Sequence, residues 1–275
     1  MRKFTKVILS LVLAFGLHAM PALGKSKPKL VLATTTSTMD SGLLDFLLPI
    51  FEKENGCKVQ IIAVGTGAAI RYGRDGNADI VMVHDPAAEM QAVKEGFFVE
   101  RKYLMYNDFV IVGPAEDPAG IKGLASAAEA LRKIQTAQAA FVSRSDQSGT
   151  HKKEQRLWEA AGLSPKGAWF LEAGAGMEMV LRIANEKRAY CLTDRGTYLA
   201  HQKEYELPIL FEGDKELFNP YHVMLVAPAK HPYVNYRLAG KLSDFLVSPR
   251  VQKLIAGFGV DKFGQPLFYP AAGSE

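Results

Sequence analysis

The stretch Ser143-Arg144-Ser145-Asp146-Gln147-Ser148-Gly149-Thr150-His151 concentrates side chains that could do chemistry. It follows the apolar run Ala139-Ala140-Phe141-Val142 and precedes a helix-forming run from Lys152 to Ala161, so it reads as a strand-to-helix turn. Ser148 suits an N-cap, and Gly149 lets the backbone approach a ligand closely. The first N–H groups of the helix lack partners inside it and sit at the positive end of its dipole. Ser148 and Thr150 add hydroxyl donors, and Arg144 adds a planar fork that keeps its charge. A set of donors like this suits capture of an oxygen-rich anion. An ordinary capped helix with Arg144 in a surface ion pair satisfies the same residues. A second chemistry overlaps the first. Ser148, His151 and Asp146 could serve as nucleophile, base and orienting acid, because residues three apart meet on a helix. No Gly-x-Ser-x-Gly elbow accompanies them, which leaves a Ser/His hydrolase as the remote alternative. The six histidines show no His-x-x-x-His spacing and the two cysteines no Cys-x-x-Cys, so neither a metal site nor a cofactor is expected.

Two further turns repeat the donor-rich pattern. Leu30-Val31-Leu32-Ala33 reads as a buried strand running into Thr34-Thr35-Thr36-Ser37-Thr38, then a helix from Leu43 to Glu54 that Pro49 is expected to bend or break. Lys58 to Val64 reads as a strand that stops at Gly65-Thr66-Gly67 before another helix. That glycine turn has neither the dinucleotide spacing nor a phosphate-loop lysine. A third strand, Ala78 to Val83, ends at His84-Asp85-Pro86 ahead of a helix from Ala87 to Glu95. Each turn alone is an unremarked polar loop. Together they place hydroxyls and glycines at the carboxyl ends of parallel strands, where α/β proteins bind ligands.

The elements that must position these turns fall into two alternating regions. Asn107 to Pro114 and Pro220 to Pro228 are long hydrophobic strands without a following helix, expected to run antiparallel and cross between two lobes. Between them lie an expected helix Leu124–Gln135, the strand at Phe141, the Arg144 turn, a strand at Trp169-Phe170-Leu171, a helix Met177–Glu186 and a strand Ala189–Leu192. Helices over 234–247 and 249–258 close the chain. Thr193-Asp194-Arg195 reads as a structural ion pair, and Trp158 and Trp169 as core or lobe-surface residues.

A length of 275 residues, 48% hydrophobic and 23% charged, accommodates two lobes with their own cores. Arg2, Lys3 and Lys6, the apolar run Val7–Phe15 and the small residues Ala22-Leu23-Gly24 form an expected secretory signal peptide over residues 1–24. Its removal takes the formal net charge from +4 to +1, so nothing favours nucleic acid or an anionic membrane as partner. Cys57 and Cys191 are expected to be separate buried thiols, because they open or sit in strands of different regions.

Thr34-Thr35-Thr36-Ser37, Val64-Gly65-Thr66-Gly67, Met105 to Pro114, Ser143-Arg144 with Ser148-Gly149-Thr150-His151, and Leu192-Thr193-Asp194-Arg195-Gly196-Thr197-Tyr198 occur in this order over nearly the whole mature chain. Together they resemble the periplasmic tungstate-binding components of ABC transporters, a type II periplasmic solute-binding family related to molybdate- and phosphate-binding proteins. The resemblance implies an α/β fold with central mixed sheets in two lobes joined by two hinge strands. It places lobe I at 25–108 and 227–275 and lobe II at 109–226. It implies a periplasmic, non-enzymatic monomer that binds tungstate or molybdate and hands it to permease subunits without being embedded in the membrane. The ligand-binding residues carried over are Thr34, Thr35, Thr36, Ser37, Thr66 and Gly67 from one lobe and Arg144, Ser148, Gly149 and Thr150 from the other. The family's usual Arg-Gly-Asp is Arg144-Ser145-Asp146 here, a form similar to phosphate binders. Phosphate near neutral pH carries a proton and profits from an acceptor carboxylate, whereas tungstate is a bare dianion that a carboxylate repels. Where phosphate binders place that aspartate, this chain has His84, with Asp85 one residue later and so on the other face.

Overall fold

The computed structural model describes residues 27–274; the leader expected over residues 1–24 lies outside them. The chain begins with β1 (Lys29–Thr35), α1 (Thr36–Asp40), α2 (Leu43–Asn55), β2 (Lys58–Val64), α3 (Thr66–Arg74), β3 (Ile80–Val83) and α4 (Pro86–Lys94). β1 pairs in parallel with β2 on one side and β3 on the other, so the turns after all three strands open at one edge. α2 runs through Pro49 unbroken. Loss of a helical hydrogen bond at proline costs about 3 kcal/mol. Burial of Leu43, Leu44, Leu47, Leu48 and Phe51, on both sides of the proline, offsets it at about 1.5–3 kcal/mol each.

Next comes β4 (Phe98–Val112), a single strand of 15 residues. It is followed by α5 (Ala127–Thr136), β5 (Phe141–Ser143), α6 (Gly149–Ala160), β6 (Phe170–Glu172), α7 (Met177–Lys187), β7 (Cys191–Asp194), α8 (Arg195–His201), β8 (Ile209–Phe211) and β9 (Phe218–Val226). The chain closes with α9 (Tyr236–Val247), α10 (Pro249–Gly257), α11 (Val260–Phe263) and β10 (Tyr269–Pro270). The first half of β4 pairs antiparallel with β9, and β9 lies beside β3. From Phe109 onward β4 leaves β9 and pairs with β7 and β8. One strand therefore belongs to two sheets. β5 and β6 extend the second sheet through a bridge between Phe141 and Tyr190.

The cores follow the sheets. Leu30, Leu32, Phe51, Met82, Val223 and Leu246 pack on one face of the first sheet, and Ala33, Ile70, Val81 and Phe98 on the other. Ile111, Phe141, Trp158, Trp169 and Tyr190 pack on one face of the second, and Val110, Val180, Leu181 and Cys191 on the other. Leu199 on α8 is buried in the first lobe's core although α8 follows a second-lobe strand. Cys57 and Cys191 are buried, unpaired and in different cores. Among the described residues no helix is long and apolar enough to cross a membrane.

Candidate functional site

The turns after β2 and β3 meet the first turn of α6 at Gly149, whereas the turns after β1 and β5 open on a cleft between the lobes whose lining does not include Thr66, Gly67, Ser148, Gly149 or Thr150. A cavity of about 770 Å³ opens there, lined by Thr36, Ser37, Asn107, Arg144, Asp194 and Tyr221 among others. The four hydroxyls after β1 differ in availability. Thr34 donates its hydroxyl to the Met82 carbonyl on β3 at 2.8 Å, so it fastens the sheet. Thr35 caps α1 by accepting from the Thr38 amide and shares hydrogen bonds with Ser37 and Thr38 hydroxyls at 3.2 and 2.6 Å. Thr36 and Ser37 face the cavity.

Thr66 opens α3 and is buried, yet its Oγ1 has no hydrogen-bond partner. Leaving such a hydroxyl unmatched costs about 1–3 kcal/mol, which marks it as a group that waits for a ligand. Opposite stands the start of α6. Ser148 caps that helix by accepting from the His151 amide, and Gly149 and Thr150 are its first residues, with Thr150 buried. The approach is tight: a Cβ at Gly149 would lie 2.9 Å from Cε1 of His84 and 3.5 Å from Oγ1 of Thr66. Here glycine is required by space, since its φ is ordinary. Gly67 faces Lys152 of α6, whose Nζ would be 3.8 Å from a Cβ there.

Arg144 lies mostly buried, with 13% of its side chain exposed. Its Nε and one Nη donate to the same Asp146 oxygen at 3.1 and 2.5 Å, which leaves the end of the guanidinium free for the cavity it lines. The other Asp146 oxygen accepts from the Ser148 amide at 3.1 Å. Burial alone would raise the Asp146 carboxyl, but hydrogen bonds from Arg144 and Ser148 hold it below the usual range. The turn alternates through left-handed backbone at Ser145 (φ 46°) and Gln147 (φ 60°), which folds it back on Arg144.

His151 is buried, and its Nδ1 accepts from the Gln147 amide at 3.1 Å. A neutral ring committed in this way carries its proton on Nε2 and has no lone pair left to activate Ser148. The Ser148, His151 and Asp146 side chains thus build the turn and do not form a nucleophile–base pair.

Cross-lobe contacts come from the same helix. Arg156 reaches both oxygens of Asp85 at 3.1 Å, and Lys153 reaches the Phe218 carbonyl at 3.4 Å. Asp85 also caps α4, so its carboxylate is turned from the cavity. Arg195 holds Asp108 through two bonds of 2.6 Å and Glu212 at 2.5 Å where β4 passes between sheets, whereas Asp194, its partner in the expected ion pair, instead accepts from Thr197 and lines the cavity. Sequence reasoning missed the pair of Asn107, on the cavity lining, with Asn219: their hydrogen bond links residues 112 positions apart, and no spacing pattern signals it.

Known proteins resemble this chain in sequence and structure. A family model described as a PBP superfamily domain matches residues 22–250. The tungstate-binding protein TupA of Peptoclostridium acidaminophilum is 46% identical over 250 residues, covering 90% of this chain and 87% of that protein. The solved TupA of Desulfovibrio alaskensis, a tungstate-binding protein, superposes with a TM-score of 0.82 at 47% identity over 89% of this chain and 99% of that one. A structure described as the tungstate ABC transporter from Geobacter sulfurreducens gives a TM-score of 0.75 at 54% identity, over 84% and 98%.

Proposed function

This chain belongs to the PBP superfamily, and on that footing we propose that it binds tungstate in the interlobe cleft and delivers it to an ABC transporter permease. One observation carries the reading: the unpartnered, buried Thr66 hydroxyl stands opposite the first turn of α6 while the carboxylates of Asp85, Asp146 and Asp194 are engaged, Asp85 by Arg156, Asp146 by Arg144 and Ser148, and Asp194 by Thr197. Helix N-termini, hydroxyls and the free end of Arg144 then meet the anion with hydrogen donors. The proposed contacts are Thr36, Ser37, Thr66 and Gly67 from lobe I and Arg144, Ser148, Gly149 and Thr150 from lobe II, with Thr34 and Thr35 shaping the first turn. We place lobe I at 25–108 and 218–275. The second boundary moves from the expected 226/227 because β9 pairs with β3 and β4 in the first sheet.

Binding draws the lobes together, because only the closed form offers donors from both. The leader would export the chain to the periplasm, where tungstate enters the cell envelope. Native mass spectrometry with equimolar tungstate, molybdate, sulfate and phosphate tests the reading. A complex with tungstate is expected to dominate; a phosphate complex in its place would reject it.

A further inference from the structure

We propose that His84 is a further anion-contacting residue and that tungstate capture takes up one proton at its Nε2. This rests on the tungstate reading of the cleft and adds to it a group that titrates. His84 stands where β3 runs out, ahead of the Asp85 cap of α4. Its ring lies against Tyr221 with centroids 4.7 Å apart. Its Nε2 is buried without a protein partner, as is Oγ1 of Thr66. Both side chains close on Gly149. The ring meets Gly149 through Cε1 and Nδ1, beside Oγ1 of Thr66, so His84 borders the first turn of α6, where the anion is proposed to sit.

The neighbours set the state of the ring. The Asn219 side chain meets the His84 ring and favours its protonated form, as an acceptor does. The Asn219 amide nitrogen already donates to Oδ1 of Asn107 at 2.7 Å and to the Tyr221 hydroxyl at 3.2 Å. Its remaining atom, Oδ1, only accepts, so the ring nitrogen that meets it carries a hydrogen. With Nε2 unpartnered, that nitrogen is Nδ1. In a neutral ring Nε2 then carries an unmatched lone pair beside the site, which a bare dianion repels; a proton there converts it into a charged donor.

Burial holds the empty site's ring below its ordinary pKa and hence neutral, although Glu89, Asp194 and Asp85 pull the other way. The charges on the packed elements are otherwise engaged. Glu89 accepts from Arg101 and from the Asp85 amide, Asp85 faces Arg156, Asp194 caps α8, and Lys152 lies toward Gly67. Arrival of a dianion raises the ring's affinity for a proton, which solvent supplies. Below the empty site's pKa the ring is already charged and tungstate affinity is flat. Between that pKa and the higher one of the complex, each binding event takes up a proton, and affinity falls by up to about tenfold per pH unit. Hydrogen phosphate brings its own proton to Nε2, so its binding takes up none and the preference for tungstate narrows as pH rises.

Calorimetric titration with sodium tungstate between about pH 6 and 9, in two buffers of different ionisation enthalpy, tests this on the protein and on His84→Gln. The protein should take up close to one proton, and His84→Gln should bind more weakly, without uptake and without the pH slope. Tungstate binding with no buffer-dependent heat overturns the proposal and leaves the tungstate reading standing. Uptake that persists in His84→Gln also overturns it, assigning the proton to Glu154, which burial pushes up to about 7 beneath the Arg144 backbone. Absence of tungstate binding at every pH rejects the underlying reading. Should His84→Gln fail to fold, the nitrogen chemical shift of Nε2 in the tungstate complex decides: an imidazolium shift supports the proposal and a neutral one sinks it.

Discussion

At the scale of single residues, the hydroxyls that look alike in sequence separate by partner. Thr34 binds Met82, so Thr34→Val is expected to lower stability by about 1 kcal/mol in denaturant titrations and to leave tungstate affinity unchanged. Thr66 has no partner, so Thr66→Ala should weaken tungstate by about 1 kcal/mol, roughly fivefold, with little change in stability. Arg144 supplies a charged donor from a mostly buried position, and Arg144→Ala should weaken binding by about 1.5–3 kcal/mol, roughly 10- to 150-fold by calorimetry. An unchanged affinity would remove Arg144 from the site. Ser145 sits at φ 46°, a conformation that suits glycine better. Ser145→Gly should therefore raise stability by about 0.5–1 kcal/mol, a melting shift of roughly 1–4 °C. The donor types of the site were legible, because strand ends followed by Thr, Ser and Gly announce themselves. Which hydroxyl is free was not, since that depends on a carbonyl 48 residues away.

At the scale of elements, α6 joins the halves. Its first turn carries the proposed anion contacts, and its second and third turns touch the first lobe through Lys153 and Arg156. Two substitutions rank these contacts. Arg156 is 51% exposed, so its pair with Asp85 is screened and Arg156→Ala should weaken tungstate only about two- to threefold. Gly149→Ala sets a methyl 2.9 Å from the His84 ring, itself backed by Tyr221, and should weaken binding roughly five- to 150-fold, at about 1–3 kcal/mol of overpacking. The reverse ranking would place closure on the ion pair. Most elements were readable from their periods, including β1, β2, β3, α6 and α7. The start of β4 was not. Glu100, Arg101 and Lys102 interrupt its apolar pattern and Glu100 has a left-handed φ of 50°, so only pairing with β9 defines that half as strand. The short α8 and β8 likewise owe their form to partners, Arg195 with Asp108 and Ile111 with Phe211.

At the scale of the whole molecule, the alternation of strands and helices gave away two lobes, whereas the place of return did not show: β9 has the same apolar run whichever sheet it joins. The thiols are distributed with the cores. Burial pushes Cys191 up strongly, and Cys57 in the same direction, so native protein should resist a thiol reagent while denatured protein yields two equivalents without reductant. Fewer than two equivalents would reveal a bridge. The undivided course of β4 has one more consequence. A joint made of loop could slacken and let one half melt first, but here a single backbone is woven into both sheets, and fraying either one unravels its neighbour's edge. Heat should therefore dissolve the molecule in one step, seen as a single calorimetric transition whose van't Hoff enthalpy matches the measured one.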